Sequence, residues 1–206
     1  NCDPIPDSRL EATLTGGSLS LAALGEVALP AGQLKLVGQR TDTGAWSVPQ
    51  SGVVFDPIEQ TIDAPPVGEV TVKISILANG PGSGLLPSGG GAASFNLPVQ
   101  AKLEASAGGA VLIGPDADCA LRPVTFDLTG TYDEAAKTAS LSSSSVAFPE
   151  VSAGCGGLGA TINGLIGLPR SDIGISLDFA FEEIVGGGEV KPAAPAITSG
   201  PSAPVS

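Results

Sequence analysis

The side chains here that could do chemistry are three cysteines and a scatter of carboxylates; the chain has no histidine. That removes the commonest general base, the Ser-His-Asp and Cys-His arrangements, and nearly all zinc sites. Two carboxylates flanking a bond are what glycoside hydrolysis needs. The close pairs in sequence are Asp116 with Asp118, Asp133 with Glu134, and Glu182 with Glu183. Neighbours on a strand point to opposite faces, so Glu182 and Glu183 do not readily share a site. Sugar sites also use aromatic platforms, and the chain holds one tryptophan, Trp46, and one tyrosine, Tyr132. Asp116-Ala117-Asp118 offers oxygen ligands of the kind calcium takes, but calcium loops carry more acids at alternating positions, and a solvated turn is the simpler reading. No glycine run ends in the Gly-Lys-Ser/Thr that phosphate binding requires. The expectation is a protein with no catalytic residues, no cofactor and no metal.

The cysteines point to structure rather than catalysis. Cys119 and Cys155 sit in matching settings, Asp118-Cys119-Ala120 and Gly154-Cys155-Gly156, on either side of a strand-rich segment. Paired, they would stabilise the fold by roughly 3–4 kcal/mol on the chain-entropy account. Cys2 is then left over, as a free thiol, an intermolecular disulfide or an anchoring lipidated residue. Lipidation normally places the cysteine first, and Asn1 precedes it here. A start at Asn1-Cys2-Asp3 without methionine fits a removed signal peptide, and equally a trimmed tag. These features lead us to expect a secreted or cell-surface location.

Positioning falls to strands. Of 206 residues, 42% are hydrophobic and only 15% charged, while Gly (29) and Pro (18) exceed a fifth of the chain. Glycine and proline break helices and punctuate strands, which implies short strands joined by many turns. The formal charge of −12 disfavours nucleic acid and anionic membrane surfaces as partners. No stretch approaches ~20 apolar residues, the length that spans a bilayer as a helix.

Alternation predicts a strand pair within 10–21, turning at Gly16-Gly17, and strands at 33–37, 45–48, 51–55, 69–78, 95–105, 110–113, 123–131, 138–142, 144–148 and 173–184. In 69–78, Val70, Val72, Ile74 and Ile76 share one face; in 173–184, Ile173, Ile175, Leu177, Phe179 and Phe181 do. The breaker-rich 79–94 reads as the longest loop and the seam of the chain. One segment departs from period two: Leu158, Ile162, Leu165 and Ile166 recur at helical spacing, predicting a short helix near 157–167. It could act as an apolar lid or a ligand contact, or simply pack in the core. Residues 1–9 read as an entry segment, 10–185 as the β domain, and 186–206 as a Gly/Pro-rich linker or tail.

The halves of the domain, about 10–82 and 95–185, echo each other. Leu34-Lys-Leu-Val-Gly38, Asp42, Ser47-Val48 and Phe55 match Phe126-Asp-Leu-Thr-Gly130, Asp133, Ser140-Leu141 and Phe148. The fold class expected is an all-β, antiparallel, sandwich-like domain with an internal pseudo-repeat. Ser140–Ser145 reads either as an exposed strand edge with hydroxyls open to glycosylation or as a small-residue strand suited to tight sheet packing, and the second is preferred.

At Leu128-Thr-Gly-Thr-Tyr-Asp-Glu-Ala-Ala-Lys-Thr-Ala-Ser-Leu141, with Phe148-Pro149, Gly154-Cys155-Gly156, Gly164-Leu-Ile-Gly-Leu-Pro169, Asp118-Cys119 and Thr43-Gly-Ala-Trp-Ser47, the chain resembles secreted β-rich proteins of high-GC Gram-positive (actinobacterial) bacteria. The resemblance covers about residues 10–184 and implies export, a disulfide and a β fold, with no activity and no site residues to carry across.

Two functions follow as expectations. The first is a non-enzymatic structural or adhesive surface component that self-associates or joins another surface protein through Cys2 or the tail, by adding a strand to a neighbouring sheet edge. The second is a carrier of an apolar, lipid-like ligand of the cell envelope, resting on the high apolar fraction and on the 158–168 segment.

Overall fold

The computed structural model describes residues 8–20, 25–66 and 68–184. The first half contains β1 (Ser8–Ser20), β2 (Glu26–Leu29), β3 (Leu34–Arg40), β4 (Ala45–Val48), β5 (Val53–Phe55), β6 (Ile58–Ala64) and β7 (Gly68–Ala78). The second half contains β8 (Gly82–Leu85), β9 (Gly91–Ala107), β10 (Ala110–Ile113), β11 (Ala120–Asp133), β12 (Thr138–Phe148), α1 (Gly159–Ile166) and β13 (Arg170–Ile184). A 3-10 turn at Gln50–Gly52 separates β4 from β5, and another at Ala153–Leu158 leads into α1. The antiparallel all-β architecture with a short helix near 157–167 agrees with the sequence. Cys2 and residues 186–206 lie outside the described residues.

Three local expectations need correction. Residues 10–21 are not a hairpin: β1 runs unbroken along β13, with a bulge between Leu14 and Gly16. Leu10, Ala12 and Leu14 point inward before the bulge and Leu19 after it; the one-residue change of phase is what a bulge produces. Segments 138–142 and 144–148 form one strand, β12, with irregular register at Ser143–Val146. The presumed loop 79–94 contains β8 and the start of β9, and β2 and β6 were not anticipated at all.

The ladders close on themselves. The order runs β1–β3–β4–β8–β9–β11–β12–β13 and returns to β1, because β9 pairs with β11 along eleven residue partners. β4 and β5 are the two halves of one stave beside β3, at Arg40–Gln39 and Leu36–Leu34 respectively. β8 and β7 likewise share one edge of β9. The sandwich-like layers are thus continuous at both edges around one core.

The two halves are laid out alike. β2 folds back on the end of β1 as β10 does on the end of β9. β3 pairs with β1 as β11 pairs with β9. The first half's last strand, β7, then pairs with β9, and the second half's last strand, β13, pairs with β1. At the hairpins matched in sequence, Gln39 faces Ser47 and Thr131 faces Ser140. A Cβ on Gly38 would collide with the Ser47 carbonyl, and one on Gly130 with the Ser140 carbonyl, so both positions need glycine for close strand approach.

The core has two ends. At the upper end, Trp46 packs on Phe95 (5.0 Å) and edge-on to Phe181 (5.5 Å), which Tyr132 also meets edge-on (5.5 Å). Arg40 is 7% exposed there; its guanidinium donates to the Leu86 carbonyl (2.7 and 3.0 Å), pairs with Glu134 (2.9 Å) and lies over the Tyr132 ring. The buried guanidinium is thus both paired and hydrogen-bonded, whereas the neighbouring Trp46 Nε1 has no hydrogen-bond partner. At the lower end, the chain crosses from β5 to β7 through β6 and from β12 to β13 through α1.

Candidate functional site

Cys119, just before β11, and Cys155, in the 3-10 turn before α1, are bonded, with Cα atoms 4.4 Å apart. Ser152 reinforces the join, donating from Oγ to the Asp118 carbonyl (2.7 Å) and accepting from the Ala120 amide (3.0 Å). Four residues after Cys155, α1 begins. It stops at Gly167, whose φ of 75° is left-handed, with the amides of Gly167 and Leu168 both donating to the Asn163 carbonyl (2.8 Å each). Glycine tolerates that conformation, and Pro169 prevents continuation. The Asn163 side chain accepts from the Val151 amide (3.0 Å). The helix is therefore fastened at both ends to the strand layer.

Beneath it lies a partly enclosed cavity of about 410 Å³. α1 contributes Ile162, Leu165 and Ile166 to its wall. β7 contributes Val72, Ile74 and Ile76, the inward face predicted from alternation, and β9 contributes Ala101 and Leu103. Ile62 of β6, with Leu19, Val27, Leu121 and Phe148, completes the apolar lining. The polar residues at its border belong to β6: Gln60, on the face of Ile58 and Ile62, and Thr61 and Asp63, on the opposite, exposed face. β6 pairs only with β7 among the described residues and so borders the cavity as an edge strand. The cavity sits where two apolar clusters meet, the large core and a smaller one around the disulfide that includes Leu103 and Ile113.

Of the predicted helix residues, Ile162, Leu165 and Ile166 face the cavity, whereas Leu158 packs in the disulfide cluster. The other candidates are dispersed. Asp118 pairs with Arg122 (2.6 Å), whose hydrogen bond holds its carboxyl below the usual range. Glu134 is likewise held low, chiefly by the Arg40 hydrogen bond, while burial and then the Glu134 contact push the Tyr132 hydroxyl up. Asp133 accepts the Ala136 amide within its turn (3.0 Å). Trp46 and Tyr132 are 1% and 5% exposed, closed off as sugar platforms. No cluster of three or more metal-ligating side chains occurs among the described residues, and no described helix is long and apolar enough to cross a membrane.

Ser140–Ser145 lies on β12; Ser140 and Ser142 are paired on both sides, with β11 and β13, whereas the β11 ladder ends at Ser142 and leaves Ser143–Ser145 unpaired on that side. Ser140, Ser142, Ser144 and Ser145 are nonetheless exposed, and the surface there forms an open hydroxyl-lined depression of about 600 Å³ with Ser18, Thr129 and Ser176. The sequence reading missed β6 and, with it, every polar residue of the cavity. The alternation of Ile58, Gln60 and Ile62 with Glu59, Thr61 and Asp63 was the available signal.

Comparison with protein-family models, with curated proteins and with solved structures returns no match.

Proposed function

We propose that this protein is a binder or carrier of a single apolar, lipid-like chain, held in the cavity beneath α1. The observation that carries the reading is the cavity's wall: about 410 Å³ bounded by apolar side chains, with its few polar residues all on β6. Ligand sites are concave, predominantly apolar and supplied with a few convergent polar groups, at volumes of roughly 300–1,000 Å³. Water gains few hydrogen bonds against such a wall, so an apolar chain displaces it favourably.

The fastened helix agrees with a preformed site, which spares a ligand the cost of ordering its binder. The assembly reading depends on Cys2 and on residues 186–206, both outside the described residues, and no described feature favours it over a carrier. Of the acids adjacent in sequence, Glu134 and Asp118 are engaged with arginines and Asp133 with a turn amide.

Native mass spectrometry of protein purified without detergent, followed by organic extraction, tests this directly. An extractable apolar molecule on the intact chain, absent from Ala101→Phe protein whose new ring fills the cavity, is the expected result. Equal lipid content in the variant with a native melting curve would refute it.

A further inference from the structure

We infer that the uncharged lower end of the molecule, led by the tip of the β9–β10 hairpin, docks on a lipid bilayer whose headgroups carry no net charge, and that the cavity is filled and emptied there. This rests on the carrier reading above and names the surface from which the chain is taken up. Val111 is 71% exposed, the most of any large apolar side chain among the described residues, and Leu112 beside it is 37% exposed. A single exposed apolar side chain needs no explanation. These two are adjacent, and they stand on β10, which pairs with β9 alone among the described residues. Edge strands ordinarily carry charge, lysine above all, which keeps other chains from pairing with them. β10 carries none.

The surroundings of the tip are free of charge too. Residues 105–115 and 151–169 contain no Asp, Glu, Lys or Arg, in a chain whose formal charge is −12. The fold joins these two runs: Ile113 of β10 and Cys155 are buried in the cluster around the disulfide, and Leu158 packs half-buried against it. Leu103, Val72, Ile162 and Leu165 take part in that cluster and also line the cavity, so the hairpin is built on the cavity's own wall. Thr71 of β7 pairs with Ser106, which brings the β6–β7 tip alongside, with Pro65 and Pro66 exposed. Charge then decides which surface fits. Asp63 and Glu69 face each other on the exposed side of the β6–β7 ladder, and the exposed Asp116 follows β10. On the flanking strands, Lys73 and Arg122 are already paired, with Glu104 and Asp118. Anionic lipid would meet those acids and the net negative charge, whereas zwitterionic headgroups admit the apolar tip without that repulsion. Two apolar side chains make a weak, reversible contact, and a carrier has to leave the surface again.

The chain's one tryptophan, Trp46, is 1% exposed, so a tryptophan introduced at the surface reports its own surroundings. Val111→Trp protein is titrated with phosphatidylcholine vesicles, with Leu85→Trp as the control; Leu85 is 42% exposed and adjoins the Arg40-bound Leu86 at the upper end. The Val111→Trp emission is expected to move to shorter wavelength and to be quenched by brominated acyl chains, with no change in Leu85→Trp. Val111→Asp/Leu112→Asp protein should co-sediment with the vesicles at least about tenfold more weakly than the unmodified chain, yet bind dodecanol from solution with unchanged affinity by calorimetry. An equal response at both tryptophan positions, tighter association with phosphatidylglycerol vesicles, or association with neither kind would overturn the docking surface and leave the carrier reading standing as long as dodecanol binds. Dimers of the unmodified chain in vesicle-free sedimentation velocity, abolished by the double aspartate variant, would assign the tip to a second copy and refute a lipid surface. Failure of dodecanol to bind would remove the carrier reading, and this inference with it.

Discussion

A partly enclosed cavity of fixed volume predicts a break in chain-length dependence. The void is about 410 Å³. A buried methylene is worth about 0.8 kcal/mol and cavity volume costs about 24 cal/mol per Å³, which together assign roughly 30 Å³ to each methylene. The void then holds about 12–14 methylenes in contact with Ile74, Leu103, Ile162 and their neighbours. Below that length each added methylene should strengthen binding by up to about fourfold, reduced somewhat by the torsional freedom the bound chain loses. Beyond it, further methylenes protrude past the wall and gain little. The assay is displacement of an environment-sensitive apolar fluorophore by n-alkanols from six to eighteen carbons, each kept below its solubility limit. A logarithmic rise that levels off near twelve to fourteen carbons is expected. A rise that continues to eighteen would indicate adsorption on a surface, and a flat series would show that the lining is not the binding determinant; either result refutes the reasoning.

Other perturbations test the frame around the cavity. The Cys119–Cys155 bond closes a 36-residue separation, and the chain-entropy relation assigns it about 3.8 kcal/mol; Cys119→Ala/Cys155→Ala protein should lose about that much in urea unfolding, together with chain affinity, because α1 is tethered through Cys155. Glu134→Gln should destabilise the fold at pH 7. The folded carboxyl is held below its ordinary value of 4.5, chiefly by the Arg40 hydrogen bond. Its contribution is therefore present above that value and lost as pH falls through the folded pKa. The stability difference between wild type and variant should shrink on acidification below pH 4.5, and an undiminished difference in pH-dependent denaturation would contradict the pairing. Gly38→Ala and Gly130→Ala should each cost more than about 2 kcal/mol by thermal unfolding, since the added methyl meets a facing backbone carbonyl that cannot yield as a side chain would.

Much of the fold was legible because period two is a local signal. β13 and β7 each present an unbroken apolar face, and those faces are the ones buried or lining the cavity. What failed were segments whose structure is decided by their neighbours. β8, Gly82–Leu85, has no pattern of its own; it is a strand because β4 and β9 flank it, and its Gly84 permits the close approach of Ser94. Gly16-Gly17 reads as a turn, yet the ladder to β13 continues through it, and Gly17 lies against the Ser176 carbonyl. The cavity was hidden for a different reason. Ile74 and Leu103 are of the same residue types as fully packed core positions, and whether an apolar face meets another or stands off from it is set by tertiary placement. Arg40 was equally silent: only the fold brings it to Leu86, Glu134 and Tyr132.

The placement of the cavity follows from how the matched halves differ. In both, the fourth stave descends to the lower end and the chain must return upward through the last strand of that half. The second half makes this turn with α1 after an unbroken β12, which pairs along β13. The first half makes it with β6 after a stave split into β4 and β5; β5 lies beside β7, but no ladder between them occurs among the described residues. A strand with a free edge therefore faces an apolar helix across the lower end, and neither fills the space between. Had both turns been helices, the end would carry two apolar stripes able to interdigitate; had both been strands, it would carry two polar edges. One of each leaves an apolar trough with a single hydrogen-bonding border. That asymmetry would fix a ligand's direction, chain along α1 and head toward Gln60, which pairs with the cavity-lining Val72, and it makes Gln60 and Ile162 the two positions at which substitution should separate recognition of the head from recognition of the chain.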